Sequence, residues 1–272
     1  MQPFYLVNAF STEPFAGNPA AVLFLEGADW PGQAWMQGVA AQFNLAETAF
    51  VQRRGDGSFG LRWLTPVAEV DLCGHATLAT AHVLWQSGRL GSDSPAHFDT
   101  KSGRLTCTRS ADGRIGMDFP ALYVRSIPAP EMALRALGLS SALAATDGTY
   151  LLLELETEAA VAALKPDMGL LSQLDTWGTI VTAPASLGGD LVCRFFAPRK
   201  GVPEDPVTGS AHCRLAPYWG VKLGKKILSS RQISARGGDL TMDWKADRVV
   251  LWGRAVTVGQ GDLQISTDPL LT

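Results

Sequence analysis

Apolar positions recur along the chain at two spacings, and their alternation predicts a mixed α/β fold. Residues 3–9, 20–25, 48–52, 61–65, 150–155 and 179–182 are short apolar runs of strand length. Residues 31–43 place Trp35, Met36, Val39 and Phe43 at helical spacing, and residues 166–177 place Met168, Leu170, Leu171 and Leu174 likewise. Residues 104–108 and 114–119 alternate in polarity around a turn containing Asp112 and Gly113, the pattern of a β-hairpin. Late strands are expected at 249–251 and 255–258, on either side of Gly253.

One helix stands out. Residues 76–85 are apolar on nearly every face, with Thr77, Thr80 and His82 the polar exceptions. A helix apolar all round is enclosed, and Ala76, Ala79 and Ala81 let a sheet approach it closely. Residues 211–219 form a less clean counterpart, because Arg214 is charged and Pro217 is expected to kink or end the helix.

The chain reads as an internal duplication. Arg62-Trp63-Leu64-Thr65-Pro66 is echoed by Arg194-Phe195-Phe196-Ala197-Pro198, an offset of 194 − 62 = 132. Acidic residues follow each copy, Glu69 and Asp71 in the first, Glu204 and Asp205 in the second. Each copy then reaches a glycine that opens a run of small residues, Gly74-His75-Ala76-Thr77 and Gly209-Ser210-Ala211-His212. The expected architecture is α/β (α+β), with two similar halves related by a pseudo-twofold. Each half is a curved, barrel-like sheet around a central helix. The N-terminal half spans 1–119, joined by a C-terminal strand near 262–272, and the C-terminal half spans 120–261. Pro120, Pro128 and Pro130 mark the connection.

Composition narrows the class. Charged residues make up 18% of the 272 and apolar ones 46%, which argues against disorder. A net charge of −3 offers no general attraction for nucleic acid or acidic lipid. No apolar run reaches the roughly 18 residues that span a bilayer. The N-terminus carries no basic residue before Arg53, unlike a secretory or transit peptide. Four cysteines without a CxxC pair do not form a disulfide framework. These features predict a cytoplasmic globular protein.

Several motifs fail on context. Gly55-Asp56-Gly57-Ser58-Phe59-Gly60 fits GxGxxG, but a strand-like run follows where a dinucleotide site needs a helix. His75 and His82 share a helical face yet stand about 10 Å apart along it, too far to share one zinc ion. The expectation is no metal and no cofactor. The basic residues Lys222, Lys225, Lys226, Arg231 and Arg236 read as a solvated face.

The constellation that remains is a pair of loop-to-helix junctions, Gly74-His75 and Gly209-Ser210. Helix N-termini are anion sites. A carboxylate held between two of them would have an acidified Cα–H, because the dipoles stabilise the charge left by deprotonation. The missing base is supplied by Glu47, a carboxylate among apolar neighbours, where burial favours proton exchange. The repeat carries no carboxylate at the equivalent place near Gly178-Thr179, so one base is expected rather than two.

Four segments carry a resemblance. Residues 15–22 (Phe-Ala-Gly-Asn-Pro-Ala-Ala-Val), 44–51 (Asn-Leu-Ala-Glu-Thr-Ala-Phe-Val), 73–77 (Cys-Gly-His-Ala-Thr) and 204–211 (Glu-Asp-Pro-Val-Thr-Gly-Ser-Ala) resemble the phenazine-biosynthesis isomerase (PhzF-like) family. That family is related to diaminopimelate epimerase. The resemblance runs from Phe4 to about Gly261. It implies two α/β halves with the site in the cleft between them, no cofactor, and a homodimer acting on a small carboxylate. It places the catalytic glutamate on Glu47, the histidine on His75, the aspartate on Asp205 and the serine on Ser210. Asn18, Cys73, Gly74 and Gly209 are expected to contact substrate. The related epimerases use two facing cysteines; the first matches Cys73, but the second falls near Thr208.

The expected activity is a cofactor-independent isomerase that moves a proton, with Glu47 as general acid/base. A racemase or epimerase using Cys73 is a second possibility, and a non-catalytic small-ligand-binding protein on the same fold is a third. Each residue also has a bland role: Glu47 as a surface carboxylate, His75 and Ser210 as helix caps, Asp205 as a turn residue, Cys73 as a small buried residue.

Overall fold

The computed structural model describes residues 2–27 and 29–265. It divides into two compact units, one formed by Met1–Asp118 with the chain from Trp252 onward, the other by Phe119–Leu251. The return to the first unit thus begins at 252, earlier than the sequence suggested; the part of the expected last strand beyond 265 lies outside the described residues.

The first unit opens with β1 (Gln2–Ala9), β2 (Asn18–Leu25), β3 (Glu47–Arg53) and β4 (Phe59–Leu64). A short β5 (Glu69–Val70) precedes β6 (Ala96–Thr100), β7 (Gly103–Arg109) and β8 (Ile115–Pro120). Helices α1 (Gln33–Phe43) and α2 (Gly74–Gln86) complete it. The 104–108 and 114–119 segments form the expected hairpin, β7 against β8. Alternate residues of β2, Ala21, Leu23 and Leu25, pack against Met36, Val39 and Ala40 of α1. Helix α2 packs on β1, β2 and β3, so β2 is buried on both faces and reads as a continuous apolar run.

Ten of the thirteen residues of α2 are buried, which makes it the enclosed helix that its composition predicted. Its buried Thr77 and Thr80 hydroxyls donate to the Cys73 and Ala76 carbonyls, so neither is left unsatisfied. Leu78 is fully buried at its centre. Leu78→Ala is expected to cost about 2–5 kcal/mol, read as a lower urea midpoint at unchanged slope.

The second unit repeats this plan. Its strands are β9 (Arg125–Ile127), β10 (Leu143–Thr146), β11 (Tyr150–Glu154), β12 (Gly178–Pro184) and β13 (Leu191–Phe196). They continue with β14 (Ile227–Gln232), β15 (Gly238–Lys245) and β16 (Arg248–Gly253). The last strand, β17 (Ala255–Leu263), pairs with β1 in the first unit. In the first unit the order β17-β1-β2-β3-β4-β6-β7 runs antiparallel, antiparallel, parallel, antiparallel, parallel, antiparallel. In the second, β9-β10-β11-β12-β13-β14-β15 runs through the same six relations in the same order. The Arg-x-x-x-Pro echo has a structural meaning too: Arg62 grips Glu69 with two hydrogen bonds of 2.8 Å, and Arg194 grips Glu204 at 2.7 and 2.9 Å.

Short helices α3 (Glu131–Leu137), α4 (Glu158–Ala162) and α5 (Met168–Leu171) cover one face of the second sheet, and α6 (Gly209–Leu223) is its long helix. Two expectations are corrected here. The helix expected over 166–177 is only the single turn α5, because Gly169, Ser172 and Asp175 are poor helix formers and the Ser172 hydroxyl donates to the Gly169 carbonyl. Helix α6, by contrast, continues through Pro217. A proline deprives the carbonyl four residues earlier of its donor. Here that carbonyl, Cys213, accepts instead from the Leu122 backbone N–H at 3.0 Å. The basic stretch is likewise matched by acids, Lys222 with Glu154, Lys225 with Asp190, and Arg231 with Asp239 at 3.9 Å. No helix among the described residues is long and apolar enough to cross a membrane.

Candidate active site

In the first unit three predicted residues meet where strand and helix begin. Glu47 is the first residue of β3, and Cys73 and His75 flank the first residue of α2. Glu47 Oε2 lies 3.2 Å from His75 Nε2, and Cys73 Sγ lies 3.5 Å from His75 Nδ1. The Glu47 side chain keeps 19% of its surface exposed against 7% for His75. The carboxylate is therefore open to solvent on one side, and the imidazole stands behind it.

Neighbouring elements hold this geometry. Ala20 of β2 pairs in parallel register with Glu47, and the preceding Pro19 carbonyl favours the protonated form of His75, against the effect of burial. Asn18 is fully buried at the start of β2. The loop before it turns at Gly17, with φ +76°, where a Cβ would stand 2.4 Å from the Ala9 carbonyl oxygen. Only glycine fits there.

The caps differ from expectation. Neither His75 nor Ser210 caps its helix. The N-cap positions are Cys73 and Thr208, and neither provides a side-chain cap hydrogen bond. The first-turn N–H groups of α2 and α6 thus have no side-chain acceptor at their caps, as an anion site needs.

Burial holds His75 down at about 4, only partly opposed by the Pro19 carbonyl. Near neutral pH its contact with Glu47 is between a carboxylate and a neutral ring, not an ion pair. His212 is also lowered to about 4 by burial, with the Thr208 carbonyl opposing. Both histidines bind protons less well in the folded state than at their ordinary value of 6.5. Their stabilisation is therefore complete above pH 6.5 and is lost as pH falls toward about 4. Urea midpoints measured across that window should fall with pH, and His212→Gln should make the fall shallower.

The second unit carries the other predicted residues. The Asp205 carboxylate accepts from the Thr208 hydroxyl at 2.5 Å. Gln232 ties this loop down, donating to the Asp205 carbonyl at 2.7 Å and accepting from the Thr208 N–H at 2.9 Å. His212 Nδ1 donates to the Thr208 carbonyl at 2.7 Å. Ser210 follows Gly209 in the first turn of α6, and its hydroxyl lies 3.0 Å from the Tyr150 hydroxyl. Burial raises Tyr150 and outweighs the opposing Ser210 bond, so the phenol stays protonated.

Tyr150, Asp147 and Arg214 were not singled out as site residues from sequence. Arg214 is buried on α6, donates to Asp147 at 2.8 Å and to the Ser210 carbonyl at 2.9 Å, and stacks over the Tyr150 ring at 3.9 Å. Asp147 in turn accepts from the Thr149 and Tyr150 N–H groups. These contacts clamp the start of β11 onto the first turn of α6. The one sequence signal was a charged residue inside an otherwise apolar helix.

The two units are matched but not equivalent. Cys73 corresponds to Thr208, His75 to Ser210 and Glu47 to Gly178, each pair at the same place in its element. No carboxylate fits at the last position: a Cβ on Gly178 would stand 2.3 Å from the Phe195 ring. Residues 54–58 form the turn between β3 and β4, so the GxGxxG match runs from the turn into a strand, without the helix of a dinucleotide site. A separate hollow lined by Phe24, Val51, Arg53, Phe59 and Arg89 reaches Arg53, the far end of β3 from Glu47. It contains none of the predicted residues.

The sequence matches the family model of phenazine biosynthesis-like proteins, PhzC-PhzF, over residues 7–261. The chain belongs to this PhzF-like family. An uncharacterized isomerase of Pseudomonas aeruginosa is 46% identical over 268 residues, which cover 97% of this chain and 98% of that protein. The crystal structure of a phenazine biosynthesis protein of the PhzF family from Enterococcus faecalis matches with a TM-score of 0.92 at 42% identity, over 97% of this chain and 99% of that one. A predicted epimerase from Pseudomonas aeruginosa shares the fold, with a TM-score of 0.74 at 20% identity over 98% of this chain and all of that one. The four PhzF-like motifs fall at starts of elements: the start of β2, the start of β3, and the first turns of α2 and α6.

Proposed function

We propose that this PhzF-like protein is an isomerase that moves a proton between carbons of a small carboxylate-bearing substrate, with Glu47 as general acid/base and no cofactor. The observation that carries this reading is the 3.2 Å approach of the partly exposed Glu47 carboxylate to a buried, neutral His75 in the first turn of α2. The N–H groups of that turn and the helix dipole stabilise negative charge. A substrate carboxylate bound there gains acidity at the adjacent carbon, because the charge that develops on deprotonation is stabilised. Glu47 takes the proton and returns it elsewhere on the same molecule. His75 assists from behind the carboxylate. Asp205 and Ser210 assist or orient, and Asn18, Gly74 and Gly209 contribute contacts.

A thiol-based racemase is the second reading, favoured by the position of Cys73 at the N-cap of α2 beside His75. It requires a second thiol, and the matched position is Thr208, whose hydroxyl donates to Asp205. Cys73→Ala separates the two. With Glu47 as base, the variant keeps turnover within about tenfold and loses some stability to the void. With Cys73 as base, turnover collapses by about 10²–10⁴-fold, and the wild type exchanges the α-proton of both enantiomers with deuterated water.

A further inference from the structure

Glu47, Cys73 and His75 each present a metal-binding atom, and the three atoms lie within 4.8 Å of one another. They offer a carboxylate oxygen, a sulfur and an imidazole nitrogen, the donor types that zinc takes. Bonds of about 2.0–2.3 Å set the ligands of a tetrahedral zinc roughly 3.3–3.8 Å apart. The Glu47–His75 Nε2 contact of 3.2 Å is already near that spacing, whereas Cys73 Sγ rests against the other ring nitrogen, Nδ1, at 3.5 Å and must turn toward Nε2. Small side-chain rotations close the rest.

We infer that Glu47, Cys73 and His75 form a site for a divalent cation of borderline softness, Zn²⁺ or Co²⁺, and that its occupation inhibits the isomerase. A second, independent observation comes from the histidine. The ring is more than nine-tenths buried, yet Nε2 makes no well-aligned hydrogen bond although it faces Glu47.

Charge balance agrees. A carboxylate and a thiolate together neutralise a dication, and coordination to the metal itself deprotonates the thiol. Burial pushes the other thiols up, to about 12 for Cys193 and Cys213 and further for Cys107, so they compete poorly. One carboxylate beside a sulfur does not suit Mg²⁺ or Ca²⁺, which take oxygen ligands. The partly exposed face of Glu47 leaves a fourth position for water. Binding releases the Cys73 thiol proton to solvent and forms three bonds to the metal, with no change of oxidation state. The inhibition rests on Glu47 being the base; the metal binding does not.

The test is a titration of the purified, chelator-treated full chain with CoCl₂, followed by absorption. The expected result is a sulfur-to-cobalt charge-transfer band with the visible bands of a four-coordinate ion, saturating at one equivalent and erased by added ZnCl₂. Cys73→Ser should remove the charge-transfer band, and His75→Gln should weaken cobalt binding by roughly tenfold or more through loss of one of three protein ligands. Absence of the band in wild type, or its persistence in Cys73→Ser, overturns the site. Should Cys73→Ser fail to fold, unchanged cobalt affinity in His75→Gln overturns it equally. Metal binding without loss of turnover would keep the site and instead remove Glu47 as the base.

Discussion

Glu47→Gln is expected to lower turnover by about 10²–10⁴-fold, the usual worth of a positioned general acid–base group. That corresponds to about 3–5 kcal/mol of barrier at 1.36 kcal/mol per decade. Glutamine keeps the length and much of the hydrogen bonding of the side chain but cannot take a proton. The approach to His75 Nε2 at 3.2 Å and the register of β3 with β2 at Ala20 should both survive. Ligand affinity should stay within a few-fold, so the loss falls on kcat rather than on KM. The matched position in the second unit, Gly178, carries no carboxylate, and Phe195 fills the space that a side chain there would need. A loss confined to KM would make Glu47 a binding residue.

Arg214→Met is expected to destabilise the protein by about 3–5 kcal/mol, the usual consequence of removing one member of a buried ion pair. The Arg214 and Asp147 side chains are only 6% and 14% exposed. Burial raises the Asp147 carboxyl, but hydrogen bonds from the Tyr150 N–H, Arg214 and the Thr149 N–H outweigh it and hold it below its ordinary value. Removing the guanidinium leaves that carboxylate facing an apolar side chain. It also strips the donor from the Ser210 carbonyl and the cation from the Tyr150 ring. Adding Asp147→Asn should recover part of the loss, because residues in one network are not additive. Urea unfolding of the two single variants and the double variant measures this coupling, and near-additive losses would show that the clamp does not act as a unit.

Legibility in the sequence followed the range of the interactions. The enclosed helix α2 was visible because its burial is written locally, in an all-round apolar surface. The duplication was visible because both halves need the same arginine, acid and helix-opening glycine. Glu47 stood out through its apolar setting and its motif. Tyr150 was hidden because its partner Ser210 is 60 residues away and only folding brings the hydroxyls together. The continuity of α6 through Pro217 was hidden for a similar reason: the compensating N–H belongs to Leu122, far upstream. Arg214 looked like a flaw in a helix because its acid, Asp147, comes from the turn before β11. The trio Glu47, Cys73 and His75 escaped a search by spacing because its members come from a strand and a separate helix junction.

The most direct test of the account is proton exchange itself. Small carboxylates that raise the melting temperature of the purified protein are incubated with it in deuterated water, without added cofactor, and examined by mass spectrometry and NMR. The account predicts deuterium appearing at carbon in the presence of wild type, with formation of an isomer, and near-background incorporation in the presence of Glu47→Gln. Deuterium incorporation by Glu47→Gln at the wild-type rate would contradict it.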